Sequence, residues 1–292
     1  FNKLYGHSWG PRLEYILRNT LLTLTEVPGT TLPNIIDMLT NRDYRDRTVR
    51  MINDPVMIKF WNDEFNMMDP KKSIEEVSSI LNKVGQFVSS PLIRRIISPS
   101  KSSIDLESIM NDGKILLVNL SQGRMGEDNA ALMGAMIITK IQLSAMRRAK
   151  NMDRKWRDFF LYVDEFQNFA TSSFIKILSE ARKYRLGLTL ANQYVEQIDE
   201  TVMAAIIGNV GTLATFLVGS TDAQKLEKEF SEVFTFNDLT HLNRGEVIMK
   251  LAIDGLTSRP FFAKTLPPAS SSNQNKETVI KVSRERWRSK GS

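Results

Sequence analysis

Residues 159–165 read Phe-Phe-Leu-Tyr-Val-Asp-Glu, and this stretch decides how the rest of the sequence is interpreted. Five consecutive apolar residues are typical of a strand buried within a sheet. Asp164 and Glu165 then follow at the carboxyl end of that strand, where open α/β sheets bind their ligands. In phosphoryl-transfer enzymes an aspartate at this position holds Mg²⁺, and an adjacent glutamate can orient and deprotonate the attacking water. An Asp-Glu pair is also a common start of a turn, so both interpretations stay open on this motif alone.

Two further segments bear on the same chemistry. A second apolar run, residues 186–191, is followed by Gln193, which could contact a γ-phosphate or its attacking water, or could cap the following turn. The preceding helix ends in basic residues that include Arg182 and Arg185. These cations could stabilise the helix C-terminus. Alternatively, one of them could be an arginine supplied to the phosphates of a neighbouring subunit.

Strands and helices alternate from residue 104 onward. Mostly apolar runs predict strands at 115–118 (extended to Leu120), 159–163, 186–191 and 213–218, and helical spacing predicts helices at 130–148, 173–183 and 202–208. This alternation indicates βαβ units with a parallel sheet covered on both faces, which makes the fold class α/β. Residues 246–253 and 259–263 flank Asp254-Gly255 and predict an antiparallel hairpin at the sheet edge.

The two ends of the chain differ from this central part. Residues 1–97 carry apolar residues at three- and four-residue spacing with proline breaks, which predicts an all-helical subdomain of about five helices. A polar linker, residues 98–103, separates it from the α/β part at 104–268. Residues 269–292 are polar and then basic, and we expect either a flexible tail or an arm that binds phosphates or a partner.

Composition excludes several classes of protein. The 292 residues contain no Cys and two His, which excludes disulfides, thiolate zinc sites, cysteine nucleophiles and histidine-rich metal sites. No apolar run approaches the roughly 20 residues of a transmembrane helix. The net charge is +6, but residues 276–292 hold six Lys or Arg and two Glu. The positive charge is therefore weak support for nucleic-acid binding by the folded part.

The sequence lacks the phosphate-binding loop G-x-x-x-x-G-K-[ST]. Gly113-Lys114 has no upstream glycine at the required spacing, and the 123–126 segment has neither the spacing nor the lysine. Tight binding of a nucleoside triphosphate is hard to explain without those backbone N–H groups. The sequence also begins with Phe1 rather than Met, so we expect an additional segment upstream that could carry the loop.

In the order and spacing of its motifs, the sequence resembles the coupling-protein ATPases of conjugation and type IV secretion, within the FtsK/HerA group of DNA-pumping P-loop motors. The resemblance runs through residues 5–12, 114–121 and 259–261, and its most specific stretches are 161–169, 179–184 and 190–194. It implies a RecA-like core with an all-helical domain inserted after the phosphate-binding loop, and hexameric rings. The loop would then precede the helical part.

The resemblance also implies roles for individual residues. Asp164 corresponds to the Mg²⁺-associated aspartate, Glu165 to the catalytic base, Gln193 to the γ-phosphate sensor and Arg182 to the arginine that acts in trans. Relatives usually carry a small residue, often Gly, where this chain has Arg185. That difference leaves open which of the two arginines faces the neighbouring site.

Two functions follow as hypotheses. The first is an ATP-driven DNA translocation motor that uses ATP and Mg²⁺ and has DNA, further copies of itself and a relaxase or channel proteins as partners. It would be cytoplasmic, with any membrane attachment through upstream segments, and this chain alone would be inactive. The second is a non-catalytic module that binds DNA or protein on an NTPase-like scaffold. In that case the function would lie on helical residues, namely Trp9, Arg12, Arg45, Arg47 and Arg50.

Overall fold

A computed structural model describes residues 6, 9–151, 154–170, 172–269 and 274–287. Tyr5, His7 and Ser8 of the first resembling stretch lie outside the described residues, as do residues 270–273 and 288–292 of the tail. The chain divides into two compact units. One contains Phe1–Asp105, Val118–Met133 and Ser283–Ser292, and the other contains Leu106–Leu117 and Gly134–Val282.

The described residues before 98 form helices only, as their periodicity predicts. The helices are α1 Pro11–Glu26, α2 Asn34–Thr40, α3 Arg42–Val49, α4 Pro55–Lys59 with a π-helical continuation Phe60–Phe65, α5 Pro70–Ser89 and α6 Pro91–Ile97. Local sequence explains several of their starts. The Asn41 side chain accepts a hydrogen bond from the Tyr44 N–H, and that of Asp54 accepts from Val56 and Met57.

Aromatic residues of the π-helical turn form the centre of this helical core. Trp61 is fully buried and donates its indole N–H to the Thr23 hydroxyl at 2.8 Å. Arg45 is also buried, donates to the Met38 carbonyl at 3.0 Å and lies over the Phe65 ring. Burial lowers the pKa of its guanidinium. Arg45 is therefore a packing residue, whereas Arg12, Arg47 and Arg50 lie on the surface.

The remaining helices are α7 Leu106–Asn111, α8 Gln122–Met125, α9 Glu127–Arg147, α10 Ser172–Glu180, α11 Glu200–Asn209, α12 Ser220–Phe230, α13 Phe236–Thr240 and α14 Lys276–Trp287. The three helices predicted at 130–148, 173–183 and 202–208 correspond to α9, α10 and α11, each within three residues at either end. Helix α14 covers part of the predicted tail, and none of its described residues is buried. Among the described residues, no helix is both long and apolar enough to cross a membrane.

Two of the predicted strands form a parallel pair. Strand β1 (Phe159–Val163) pairs with β2 (Leu186–Leu190) in the register Phe159 with Leu186 through Val163 with Leu190. A buried cluster that includes Phe166, Phe174 and Ile206 packs with this pair. Both strands therefore end at one edge of the sheet, as predicted.

The second sheet is antiparallel. It has the order β3 (Leu213–Thr215), β4 (Glu246–Lys250) and β7 (Phe261–Lys264). Between β4 and β7, β5 (Ala252–Ile253) and β6 (Leu256–Thr257) pair around Asp254 and Gly255, which have φ of 51° and 85°. The hairpin prediction is confirmed. The prediction of 213–218 as a parallel strand is wrong, because β3 is shorter and pairs antiparallel with β4.

The predicted strand at 115–118 is also wrong, since those residues form no regular structure. Ile115 is 89 % exposed and Leu117 is 79 % exposed. The apolar run has the composition of a buried strand, but no described strand pairs with it. The side chains of Phe160 and Tyr162 are exposed as well, so β1 is not covered on both faces by the described residues. The described chain is thus mixed α/β with two parallel strands, and a RecA-like parallel sheet is not present in it.

Candidate functional site

The carboxyl ends of β1 and β2 bring three of the predicted site residues together. The Ala191 N–H donates to the Val163 carbonyl, and the Phe166 N–H donates to the Ala191 carbonyl, both at 2.9 Å. These two hydrogen bonds continue the pairing past the strand ends. Asp164, Glu165 and Gln193 therefore leave the same edge of the sheet, where α/β folds bind their ligands.

Glu165 lies at the centre of this group. The Gln193 side-chain amide donates a hydrogen bond to Oε1 of Glu165, and the Gln167 amide donates to Oε2 at 2.6 Å. The backbone of Glu165 is left-handed, with φ 50° and ψ 46°, a conformation that costs a residue with a Cβ about 1–2 kcal/mol. The carboxylate is thus aimed by an unusual backbone and held by an amide on each oxygen.

Asp164 is suited to hold a divalent cation with the help of other ligands. Its side chain is exposed, and Oδ1 accepts the N–H of Glu165 at 3.0 Å. Within the described part of the chain, neither Asp164 nor Glu165 forms an ion pair with a Lys or Arg. The described residues also contain no cluster of three or more His, Asp or Glu that could hold a metal by itself. One carboxylate completed by water and phosphate oxygens is a usual Mg²⁺ site.

The two arginines lie at the opposite end of the strands. They belong to the segment before β2, and the Arg185 carbonyl accepts the N–H of Phe159, the first residue of β1. Five residues at about 3.3 Å each place this edge roughly 15 Å from the Glu165 edge. Within one subunit, Arg182 is therefore not brought to the Asp164 and Glu165 group.

The surroundings of the two arginines differ. Arg185 has left-handed backbone, with φ 57° and ψ 39°, and its guanidinium lies 3.3 Å from Asp158 Oδ1 in an exposed ion pair. The Arg182 side chain is exposed, and no described residue pairs with its guanidinium. The left-handed backbone at residue 185 is a conformation that Gly adopts without the steric cost of a Cβ.

Sequence analysis missed Arg148, which fixes the segment that carries the arginines. Arg148 is 3 % exposed, and its Nη1 donates to the Tyr184 carbonyl at 2.8 Å. Its Nε donates to Asn111 Oδ1 at 3.1 Å, and its guanidinium lies over the Trp156 ring. Burial lowers its pKa. In the sequence, Arg148 belongs to a run of basic residues at a helix end, which looks like solvated surface.

Sequence analysis also gave Asp222 no chemical role. Asp222 is 5 % exposed, and its two carboxylate oxygens accept the N–H groups of Val195 and Glu196 at 2.9 and 3.0 Å. These amides lie two and three residues beyond Gln193. Asp222 lies in the first turn of α12, where an acidic residue is favourable, and no local sequence pattern indicates its contacts with residues 26 and 27 positions away.

One comparison with known proteins matches the part of the chain that contains this group. A family model described as the TraM recognition site of TraD and TraG matches residues 158–244. The matched segment contains Asp164, Glu165, Arg182, Gln193 and Asp222 and covers less than a third of the chain. No curated protein matches the chain significantly. The family match supports a relationship of this chain to the conjugative coupling proteins.

Proposed function

We propose that this chain carries the water-activating half of the Mg-ATP site of a conjugative coupling-protein motor. The observation that carries the proposal is the convergence of Asp164, Glu165 and Gln193 at the carboxyl ends of two adjacent parallel strands. Two carboxylates that pair with no Lys or Arg among the described residues and a polar amide form the set of groups that phosphoryl transfer to water requires.

Each residue has a distinct task in this proposal. Asp164 would hold Mg²⁺ directly or through water, and a bound cation would supply the positive charge that neutralises phosphate oxygens. Glu165 orients the attacking water and takes its proton. Each Glu165 oxygen has a second lone pair available for that water, even while Gln167 and Gln193 donate to it. Gln193 would contact the γ-phosphate or the attacking water.

The missing phosphate-binding loop would be supplied by a part of the protein outside the 292 residues. Strand β2 pairs only with β1, and β3 pairs only with β4, so each has one edge free of strands among the described residues. The exposed apolar run at 115–118 and the exposed Phe160 are further surface that additional strands and helices would cover. We propose that the complete protein closes these edges into a RecA-like sheet.

The remaining parts of the motor are proposals at the level of the assembly. The Arg182 guanidinium is exposed, has no partner among the described residues and lies far from the Glu165 of its own subunit, which suits an arginine that completes the site of a neighbouring copy in a hexameric ring. DNA would be moved through the ring, and the dominance of phosphate contacts would make its binding weaken steeply with salt.

The test is Mg-ATP hydrolysis by the complete protein, with and without DNA, beside the 292-residue chain. We expect DNA-stimulated turnover in the complete protein, and none in the chain alone or in the complete protein with Glu165→Gln. Glu196→Gln is the matched control, because Glu196 is an exposed glutamate close to Gln193 in the sequence. Absence of turnover in a folded, oligomeric complete protein would overturn the proposal.

A second candidate function is suggested by the description of the matched family. TraM recognition by TraD and TraG suggests that residues 158–244 contribute to binding a TraM-type partner of the conjugation machinery. Binding and catalysis can be separated with one variant. If Glu165→Gln loses turnover and keeps partner binding, the motor is supported. If Glu165→Gln leaves every activity unchanged and the chain binds the partner, the binding module is supported.

A further inference from the structure

We propose that Asp222 is a positioning residue for Gln193, an inference that rests on the proposed role of Gln193. The Asp222 carboxylate is buried and joins the start of α12 to the segment that follows Gln193. Its two hydrogen bonds span 27 and 26 residues of sequence. This carboxylate connects two separate elements, unlike an ordinary helix cap.

Few contacts besides those of Asp222 hold the segment around Gln193 in place among the described residues. Residues 191–194 are exposed, and on their amino-terminal side they are held by the backbone pairing of Ala191 with Val163 and Phe166. On their carboxyl-terminal side they are held by the Asp222 hydrogen bonds and by the buried Val195 side chain. Gln193 therefore lies between two fixed points, and Asp222 supplies the polar part of the second one.

The contact requires both oxygens of a carboxylate. The N–H groups of Val195 and Glu196 each need an acceptor, and Asp222 offers one oxygen to each. Asn would keep one acceptor and turn an NH₂ donor towards the second N–H, which would leave that amide without a partner. Charge-assisted hydrogen bonds of this kind are stronger than neutral ones.

A different aspartate in the same unit provides a matched control. Asp238 occupies the third position of α13 as Asp222 does of α12, and it also accepts two hydrogen bonds. Both of those come from Thr235, the cap of its own helix. Asp238→Asn therefore removes the charge from a local cap, while the hydrogen bonds of Asp222 to Val195 and Glu196 stay in place.

The experiment is NMR of the side-chain amides in the 292-residue chain labelled with ¹⁵N-glutamine. The Gln193 signal is assigned by its loss in Gln193→Ala, and Glu165→Ala gives its position without the Glu165 contact. In Asp222→Asn we expect the Gln193 signal to move to that Glu165→Ala position, while Asp238→Asn leaves it where it is in the wild type.

Two outcomes would overturn the inference. One is a Gln193 signal that keeps its wild-type position in Asp222→Asn, and the other is an equal displacement in Asp238→Asn. If Asp222→Asn does not fold, Asp222→Ser, which has one short acceptor, makes the same prediction. The NMR spectrum does not depend on ATP hydrolysis. The test of Asp222 can therefore succeed or fail independently of the test of the proposed motor function.

Discussion

Left-handed backbone occurs at two non-glycine residues in the segments that carry the predicted site residues. Glu165 has φ 50° and Arg185 has φ 57°. Residues with a Cβ lose about 1–2 kcal/mol in this conformation, and Gly does not. Such strain is retained where a side chain must be held in a particular direction. At Glu165 that side chain is the proposed base, whereas at Arg185 the conformation ends a helical segment.

The strain at Glu165 predicts an unusual order of stability. We expect Glu165→Gly to be more stable than Glu165→Ala by about 1 kcal/mol, because only Ala keeps the Cβ that disfavours this backbone. Urea unfolding of both variants measures the difference. Lys225, an exposed residue within α12, is the control, and there Ala should be the more stable by about 1 kcal/mol. If the Gly and Ala variants have the same order of stability at residues 165 and 225, the backbone strain at Glu165 is contradicted.

Arg185 predicts a stabilising substitution. Arg185→Gly should raise the free energy of unfolding by up to about 1 kcal/mol, because the strain is relieved and only an exposed ion pair with Asp158 is lost. Arg185→Ala loses the same ion pair but keeps the Cβ that strains the left-handed backbone, so this variant should not be more stable than the wild type. Thermal and urea unfolding of the two variants measure the change. An Arg185→Gly variant that is less stable than the wild type would contradict this prediction.

At the scale of elements, Arg148 connects α7, the end of α9 and the segment before β2. Its guanidinium donates to the carbonyls of Met110 and Tyr184 and to the side chain of Asn111. Buried acceptors that lose such a donor cost about 1–3 kcal/mol. Removal of this one side chain should therefore loosen the segment that presents Arg182.

The neighbouring residues Arg147 and Arg148 allow the structural role of Arg148 to be tested. Arg148→Met should lower the free energy of unfolding by about 2–3 kcal/mol, since the buried Met110 carbonyl, the Tyr184 carbonyl and the Asn111 side chain lose a charged donor. Arg147→Met should cost less than about 1 kcal/mol, because the pair of Arg147 with Glu107 is exposed. Equal effects of the two substitutions in urea unfolding would contradict the role of Arg148.

Two carboxylates near α13 and β4 predict an acid-sensitive part of the stability. Hydrogen bonds from the backbone and then the side chain of Thr235 lower the pKa of Asp238, and those from Asn243 lower the pKa of Glu246. A lowered pKa in the folded state means that the stabilisation is present above the ordinary pKa of about 3.9 for Asp and 4.3 for Glu. It is lost as the pH falls through the lowered values.

Asp238→Asn tests this pH dependence. The wild type should be more stable than Asp238→Asn at pH 7, and the difference should shrink as the pH falls below about 4 and then through the lowered pKa of Asp238, below which the folded carboxylate is also neutral. Urea unfolding at a series of pH values measures both proteins. A stability difference that stays constant down to pH 2 would show that the hydrogen bonds between Thr235 and Asp238 do not depend on the charge of Asp238.

Local patterns predicted most of the elements, and their failures have a physical cause. The apolar run of β1 and the Asp-Gly turn between β5 and β6 contain their own structural signal, so both were found. The 115–118 run has a strand's composition, but a strand also needs a partner, and composition does not reveal whether one is present. The proposed roles of Glu165 and Gln193 came from motifs. Arg148 and Asp222 act through contacts distant in sequence, which no local pattern records.

The proposed motor site requires more than one subunit. The sheet separates Arg182 from Asp164 and Glu165 by the length of β1, and the Arg182 guanidinium has no described partner. An arginine in trans at a phosphoryl-transfer site is worth roughly 10³–10⁵ in rate. A site formed by two copies explains why Arg182 lies far from the Glu165 of its own chain. It also explains why the Arg182 guanidinium has no partner among the described residues.

A shared site predicts complementation. Complete proteins with Glu165→Gln and with Arg182→Ala should each be inactive alone, and their co-expressed mixture should regain ATP hydrolysis, because some interfaces combine an intact Glu165 with an intact Arg182. Arg185→Ala is the control and should stay active, since Arg185 pairs with Asp158 of its own chain. A mixture no more active than its components at any ratio would exclude the shared site.

The central claim is that Glu165 activates water at an ATP site. The most direct measurement is ATP binding and single-turnover phosphate release by the complete protein, compared between the wild type and Glu165→Gln. The account predicts unchanged ATP affinity and a rate of phosphate release lower by about 10²–10⁴-fold, because Gln keeps the shape of the side chain and cannot take a proton. Phosphate release by Glu165→Gln at the wild-type rate would contradict it.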